Sequence, residues 1–171
     1  MIFLSGRFLV KICLVGVVCL ATILAENAFA YQRFGDAYVG DVGRGVCFTL
    51  TEAEFLRAGA APRLASVSVF DKSVLPVKTI WSFIYVQGER GVLSPRSCGL
   101  YGVTPKGART FREPEELTPG KLYGVFLNAD LPDPADPTRG YSADFCIRRA
   151  MNGGFRVLML PPGSVEGQKV P

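Results

Sequence analysis

The residues of this sequence with the strongest chemical character are three aspartates, Asp130, Asp133 and Asp136, which are spaced three apart with prolines between them. Carboxylates at this spacing suit a metal site, a solvated connection between two strands, or a surface that a basic partner recognises. The calcium-loop pattern D-x-D-x-D-G is absent, and prolines at this density stiffen a loop. We therefore expect no bound metal or cofactor, and we keep the plain connection and the recognition surface as alternatives.

Two physical properties favour recognition by this loop. A stiff loop loses less conformational entropy when it is ordered by a partner, and carboxylates complement a basic surface. Should this loop not be the interface, the segments 51–62 and 88–96 are the next candidates. The residues expected to be exposed on the loop and to contact a partner are Asp130, Asp133, Asp136 and Arg139.

The absence of histidine from the whole chain argues against catalysis. Ser–His–Asp and Cys–His arrangements need a histidine, which is also the usual near-neutral general base and the commonest metal ligand. Catalysis by carboxylates alone, as in glycosidases, is the alternative. However, Glu113, Glu115 and Glu116 follow a turn-like stretch in which charged side chains are usually solvated. We expect no enzymatic activity and assign no catalytic residue.

The N-terminal segment predicts export. Arg7 and Lys11 precede an apolar run at 12–25, and Ala28-Phe29-Ala30 supplies the small residues that signal peptidase requires. As a helix the apolar run spans only about 21 Å, less than the roughly 30 Å of a bilayer core, which disfavours a membrane anchor. We expect a signal peptide at 1–30, cleaved after Ala30, and a single domain at 31–171 in the periplasm without stable membrane insertion.

Charge and cysteine content narrow the class of partner. The formal net charge of +4 is mild and no basic run concentrates it, so we expect no binding to nucleic acid. Beyond the signal peptide the chain holds Cys47, Cys98 and Cys146. An oxidising compartment allows one disulfide among the three and leaves one thiol over. No CxxC pair is present to indicate a zinc or redox site.

The elements that must position these residues are mostly strands. Apolar residues alternate with period two between turn signals, a pattern typical of a sandwich or small barrel. One helix is predicted at 51–58, where Thr51 and Glu54 form a capping-box pattern and Gly59 ends it. Asn152-Gly153 predicts a two-residue hairpin turn. The strand candidates are 37–42, 45–50, 64–70, 78–87, 96–103, 121–129, 141–149 and 154–160.

The stretch LTPGKLYGVFLNA at 117–129 is the most specific fold signal. A tight turn at Pro119-Gly120 precedes Tyr123, as in the tyrosine corner of immunoglobulin-like domains, where the hydroxyl bonds to upstream backbone. An ordinary strand aromatic is the alternative reading of Tyr123. The sequence therefore predicts an all-β domain, an immunoglobulin- or fibronectin-like β-sandwich of about seven to eight strands with one short helix.

Several short motifs resemble a known family. They are GVCFTLT (45–51), ASVSVFDKS (65–73), CGLYG (98–102), LTPGKLYGVFLNA (117–129) and YSADFCI (141–147). In this order they are similar to the small periplasmic proteins, often lipoproteins, associated with immunity to type VI secretion effectors. The resemblance implies a periplasmic β-sandwich that binds and neutralises a cognate toxin. Many relatives carry a lipidated cysteine after the signal, and Cys13 and Cys19 do not fit that pattern.

The resemblance also bears on the disulfide, because its motifs place cysteines at both 47 and 98. We expect a Cys47–Cys98 bond with Cys146 unpaired, and Cys47–Cys146 is the alternative. Besides an immunity protein, two other functions stay open: a periplasmic structural or assembly module, such as a chaperone-like or surface-appendage accessory protein, and a small hydrolase that uses carboxylates alone.

Overall fold

The computed structural model describes residues 33–43, 45–86, 88–150 and 154–161, all within one compact unit that begins at Arg33. The signal peptide predicted at 1–30 and the turn predicted at Asn152-Gly153 lie outside these residues. No helix of the described part is long and apolar enough to cross a membrane. In chain order the elements are β1 (Arg33–Asp41), β2 (Val46–Leu50), α1 (Glu52–Ala58), β3 (Arg63–Asp71), β4 (Lys78–Tyr85), β5 (Gly91–Val92), β6 (Gly99–Leu100), β7 (Ala108–Arg112), β8 (Leu122–Asp130), β9 (Thr138–Arg149) and β10 (Phe155–Leu160).

The ten strands of the described part hydrogen-bond into one curled, open sheet. Its order is β6-β2-β1-β9-β8-β3-β4-β7, with β10 paired to β9 and β5 paired to β3. The all-β class with a short helix is confirmed, and the immunoglobulin-like sandwich stays a prediction. Strand β7 was not expected, because two of the five residues in its sequence ARTFR are arginines. None of the five is fully buried, as suits an edge strand.

Strand β1 changes partner halfway along its length. Residues 33–36 pair in parallel with β9, whereas residues 37–41 pair antiparallel with β2. Strand β10 takes over the same edge of β9 at Asp144, two residues beyond the last β1 contact at Ser142. The switch curls the sheet, because β1 leaves β9 and carries β2 and β6 with it.

Two strands show how closely the alternation predicts burial. In β8 the buried residues Tyr123, Val125, Leu127 and Ala129 follow the predicted period of two. In β3 the pairing to β8 shifts register between Leu64 and Ser66, so the extra residue there lets Leu64 and Val67 face the same side.

The core is built around aromatic rings from strands that are far apart in the sheet order, such as β2 and β4. Phe48 on β2 lies 5.8 Å from Phe145 on β9 and 6.4 Å from Trp81 on β4, between ring centroids. Tyr123 packs 5.5 Å from Phe145. Its hydroxyl accepts a hydrogen bond from the Thr118 N–H at 2.7 Å and lies 3.3 Å from the Thr118 carbonyl. The predicted bond from Tyr123 to upstream backbone is confirmed.

Helix α1 begins and ends as the sequence predicts. The Thr51 hydroxyl accepts from the Glu54 N–H at 3.2 Å, and Gly59 closes the helix in the left-handed region at φ 65°. The Glu54 carboxylate, however, does not complete the capping box. It is buried among arginines instead, and these contacts bring α1 into the site described next.

Candidate functional site

The loop between β8 and β9, residues 131–137, is fixed by its own aspartates. The Asp133 carboxylate accepts from the Ala135 N–H at 2.8 Å, and the Asp136 carboxylate accepts from the Thr138 N–H at 2.8 Å. Such bonds from aspartate to the backbone two residues ahead are the turns this residue type favours. Since prolines restrict φ between them, the loop has one strongly preferred conformation.

Asp136 departs from the expectation that all three carboxylates are exposed. Its side chain is only 14% exposed, and it pairs with Arg57 of α1 at 2.7 Å. Burial by itself raises the pKa of Asp136, but hydrogen bonds from Thr138 and Arg57 outweigh this effect and lower the pKa to about 2. The carboxylate is therefore occupied within the molecule, and we remove Asp136 from the set that contacts a partner.

Behind Asp136 lies a network of charged side chains that extends to β1. Glu54 is 5% exposed and accepts from Arg33 at 2.8 Å and from the Arg57 Nε at 2.9 Å. Arg57 also donates to the Thr138 hydroxyl at 3.0 Å. The hydrogen bond from Arg33 is the largest cause that holds the pKa of Glu54 below its ordinary value. Because a buried carboxylate needs such partners, β1, α1 and the loop are tied to one another.

Two further residues shape the wall of this network. A Cβ at Gly35 would lie 2.6 Å from the Tyr141 ring and 2.8 Å from the Glu54 carboxylate, so only glycine lets β1 pass so near. Tyr141 is fully buried, and its hydroxyl has no hydrogen-bond partner among the residues described. Burial is the largest cause that raises the pKa of Tyr141.

This network joins α1, which belongs to the candidate segment 51–62, to the β8–β9 loop. We call the exposed side chains of α1 and of the β8–β9 region the helix–loop surface. Its large apolar member is Leu56, which is 70% exposed. Arg139 on β9 is exposed as well. The acidic members, exposed in the structure, are Glu52, Asp130 and Asp133.

The cysteines take the expected pairing. Cys47 on β2 and Cys98 form a disulfide with Cα atoms 5.5 Å apart, and Cys146 is free and buried. Burial raises the pKa of the Cys146 thiol, which makes it a poor nucleophile at neutral pH. The disulfide explains why both faces of β2 are buried, since it holds the segment that follows β5 against this strand.

Metal-ligating side chains do not cluster in the described residues, which contain no group of three or more suited to a metal ion. Among the acids named for hydrolysis, Glu115 pairs with Lys78 at 2.6 Å and with Arg112 at 2.7 Å. The hydrogen bond from Lys78 is the largest cause that lowers its pKa. Within this region the charged contacts are those of a structural ion-pair cluster.

Several residues of the site were not found from the sequence: Arg33, Gly35, Glu54 in its role as ion partner, Arg57 and Tyr141. The capping box drew attention to Glu54 only as a helix signal. No local pattern indicates the rest, because they meet through the parallel pairing of β1 with β9.

In comparisons with known proteins, no family model, no curated protein and no solved structure matches the chain. The expected kinship with immunity proteins rests on the short motifs quoted above.

Proposed function

We propose that this chain is a periplasmic immunity protein, which binds and neutralises a cognate type VI secretion effector through the helix–loop surface. The observation that carries the proposal is the ordered β8–β9 loop. The Arg57–Asp136 ion pair and the aspartate turns hold it in one conformation. Binding costs less when the interface is ordered in advance. An inhibitor that must capture a toxin quickly gains from this, and also from exposed carboxylates that steer a basic partner.

The composition of the surface supports a protein partner in particular. The surface combines an exposed leucine with charged side chains, and interfaces use both apolar and polar groups. The two-layer immunoglobulin-like sandwich belongs to the same proposal. It is supported by the packing of Phe48 on Trp81 and Phe145 and by the hydroxyl contact of Tyr123.

The first experiment asks whether the partner exists. The chain and the product of the adjacent gene are expressed together, with the second directed to the periplasm. We expect the neighbour to be toxic alone and harmless in the presence of this chain. Toxicity that persists at full expression of the chain would contradict the proposal.

The second experiment locates the interface. Asp130→Lys combined with Asp133→Lys should slow association with the effector about tenfold at low salt, and less at moderate salt, because exposed charges act mainly on the encounter rate. The matched control, Glu113→Lys with Glu116→Lys, makes the same charge change on exposed residues between β7 and β8. Equal effects of the two pairs would mean that only net charge matters, and the surface would be wrong.

An alternative function is favoured by one other observation. Strand β7 is an edge strand of the described sheet and presents Phe111, which is 79% exposed. Open edges can add a strand from another chain, as an assembly or chaperone-like module requires. Binding to many unfolded clients, lost in Thr110→Pro and kept in the Asp130→Lys/Asp133→Lys variant, would select this function over immunity.

A further inference from the structure

An apolar cavity of about 310 Å3 lies between the sheet and the segment that connects β5 to β7. Its floor is formed by side chains of β3 and β4, among them Val67, Trp81 and Phe83, and its cover includes Leu93 and Leu100. The space is partly open to solvent, and its volume lies at the lower end of the range of small-molecule pockets.

The cover is anchored at several separate points, so the cavity is already formed in the unbound protein. The Cys47–Cys98 disulfide ties it to β2. The Leu93 N–H donates to the Pro62 carbonyl at 3.0 Å, and the Thr49 hydroxyl donates to the Ser94 carbonyl at 2.6 Å. A ligand entering this space would have little protein to reorganise.

Trp81 supplies a polar feature that packing alone does not explain. Its side chain lines the cavity and is 1% exposed, yet its indole N–H has no acceptor among the described residues. This nitrogen has almost no accessible surface, so the cavity offers a ligand mainly apolar contacts.

The lining also defines what the ligand can be. Among the described residues, no charged side chain lines the cavity, so an ionic group would be buried there without a partner from them. At roughly 30 Å3 for each water-sized group, the space holds about ten non-hydrogen atoms. Val92 and Val103, 65% and 55% exposed, belong to the same wall and offer an apolar entrance.

We infer that this cavity binds a small, neutral, mostly aliphatic molecule of about ten non-hydrogen atoms, such as a medium-chain ketone or ester. This site is separate from the helix–loop surface in residues and in chemistry, and it does not depend on the immunity function.

The test uses nonan-2-one as the probe and nonanoate, at neutral pH, as its charged counterpart. Trp81 is the only tryptophan of the chain, so its fluorescence reports directly on the cavity. We expect a saturable change in fluorescence with the ketone, matched by calorimetry, and at least tenfold weaker binding of nonanoate. No saturable binding of the ketone up to its solubility limit, or equal binding of nonanoate, would overturn the inference.

Variants then place the ligand. Leu100→Phe fills part of the cavity and should weaken ketone binding at least tenfold, whereas Ile84→Phe adds an apolar ring at an exposed position of β4 and should leave it unchanged. Should Leu100→Phe fold and bind the ketone as the parent does, the ligand lies elsewhere and the assignment fails.

Discussion

The ion pair of Asp136 with Arg57 joins the β8–β9 loop to α1 and so fixes the position of the loop. A pKa of about 2 lies below the ordinary value of 3.8, so folding favours the ionised form. The stabilisation is fully present above about pH 4 and is lost as the pH falls through 2. It amounts to about 2 kcal/mol, taking 1.36 kcal/mol for each pKa unit.

The corresponding change is Asp136→Asn, which keeps an oxygen for the Thr138 N–H but removes the charge that Arg57 binds. We expect the free energy of unfolding to fall by about 1–2 kcal/mol at pH 7 and the difference from the parent to shrink towards pH 2. Urea unfolding at pH 7, 5 and 2.5 measures it. Asp133→Asn, on the exposed side of the same loop, should change stability by about 0.5 kcal/mol or less. A difference for Asp136→Asn that does not vary with pH would contradict the assignment.

At the scale of elements, the fit of β1 against β9 and α1 depends on the absence of a side chain at residue 35. Gly35→Ala would place a methyl group 2.6 Å from the Tyr141 ring and 2.8 Å from the Glu54 carboxylate. Overpacking of this kind costs about 1–3 kcal/mol. Gly99→Ala is the control, because its nearest neighbour would lie at 3.8 Å. Thermal unfolding should show a clear loss for the first and little change for the second, and equal midpoints would count against the close approach.

For the whole molecule, the Cys47–Cys98 disulfide closes a loop over a sequence separation of 51 residues. A loop of this length stabilises the fold by about 4 kcal/mol in the chain-entropy model. Cys47→Ser with Cys98→Ser should therefore lower the free energy of unfolding by about that amount, as denaturant titration would measure. Reductant should act in the same way on the parent and on Cys146→Ala, since Cys146 is unpaired. A parent protein indifferent to reductant would refute this.

Where the determinants are local, the sequence was sufficient to predict the outcome. The alternation in β8, the cap at Thr51 and the end of α1 at Gly59 each depend on residues within a few positions of one another, and all three agree with the structure. Composition allowed one disulfide among the three cysteines, and the family-like motifs selected the Cys47–Cys98 pair. The Arg33–Glu54 contact could not be predicted, because it joins β1 to α1 and nothing near either residue indicates that the two will meet.

The partner switch of β1 also has a consequence for the order in which the fold can assemble. Residues 37–41 find β2 within a few positions, whereas residues 33–36 require β9, and Arg33 and Thr138 are 105 residues apart. Distant pairings form slowly, because a long loop must close first. A chain that emerges N-terminus first thus presents half of β1 long before its neighbour exists. During that interval the strand edge is open to other chains, and aggregation competes most strongly with folding.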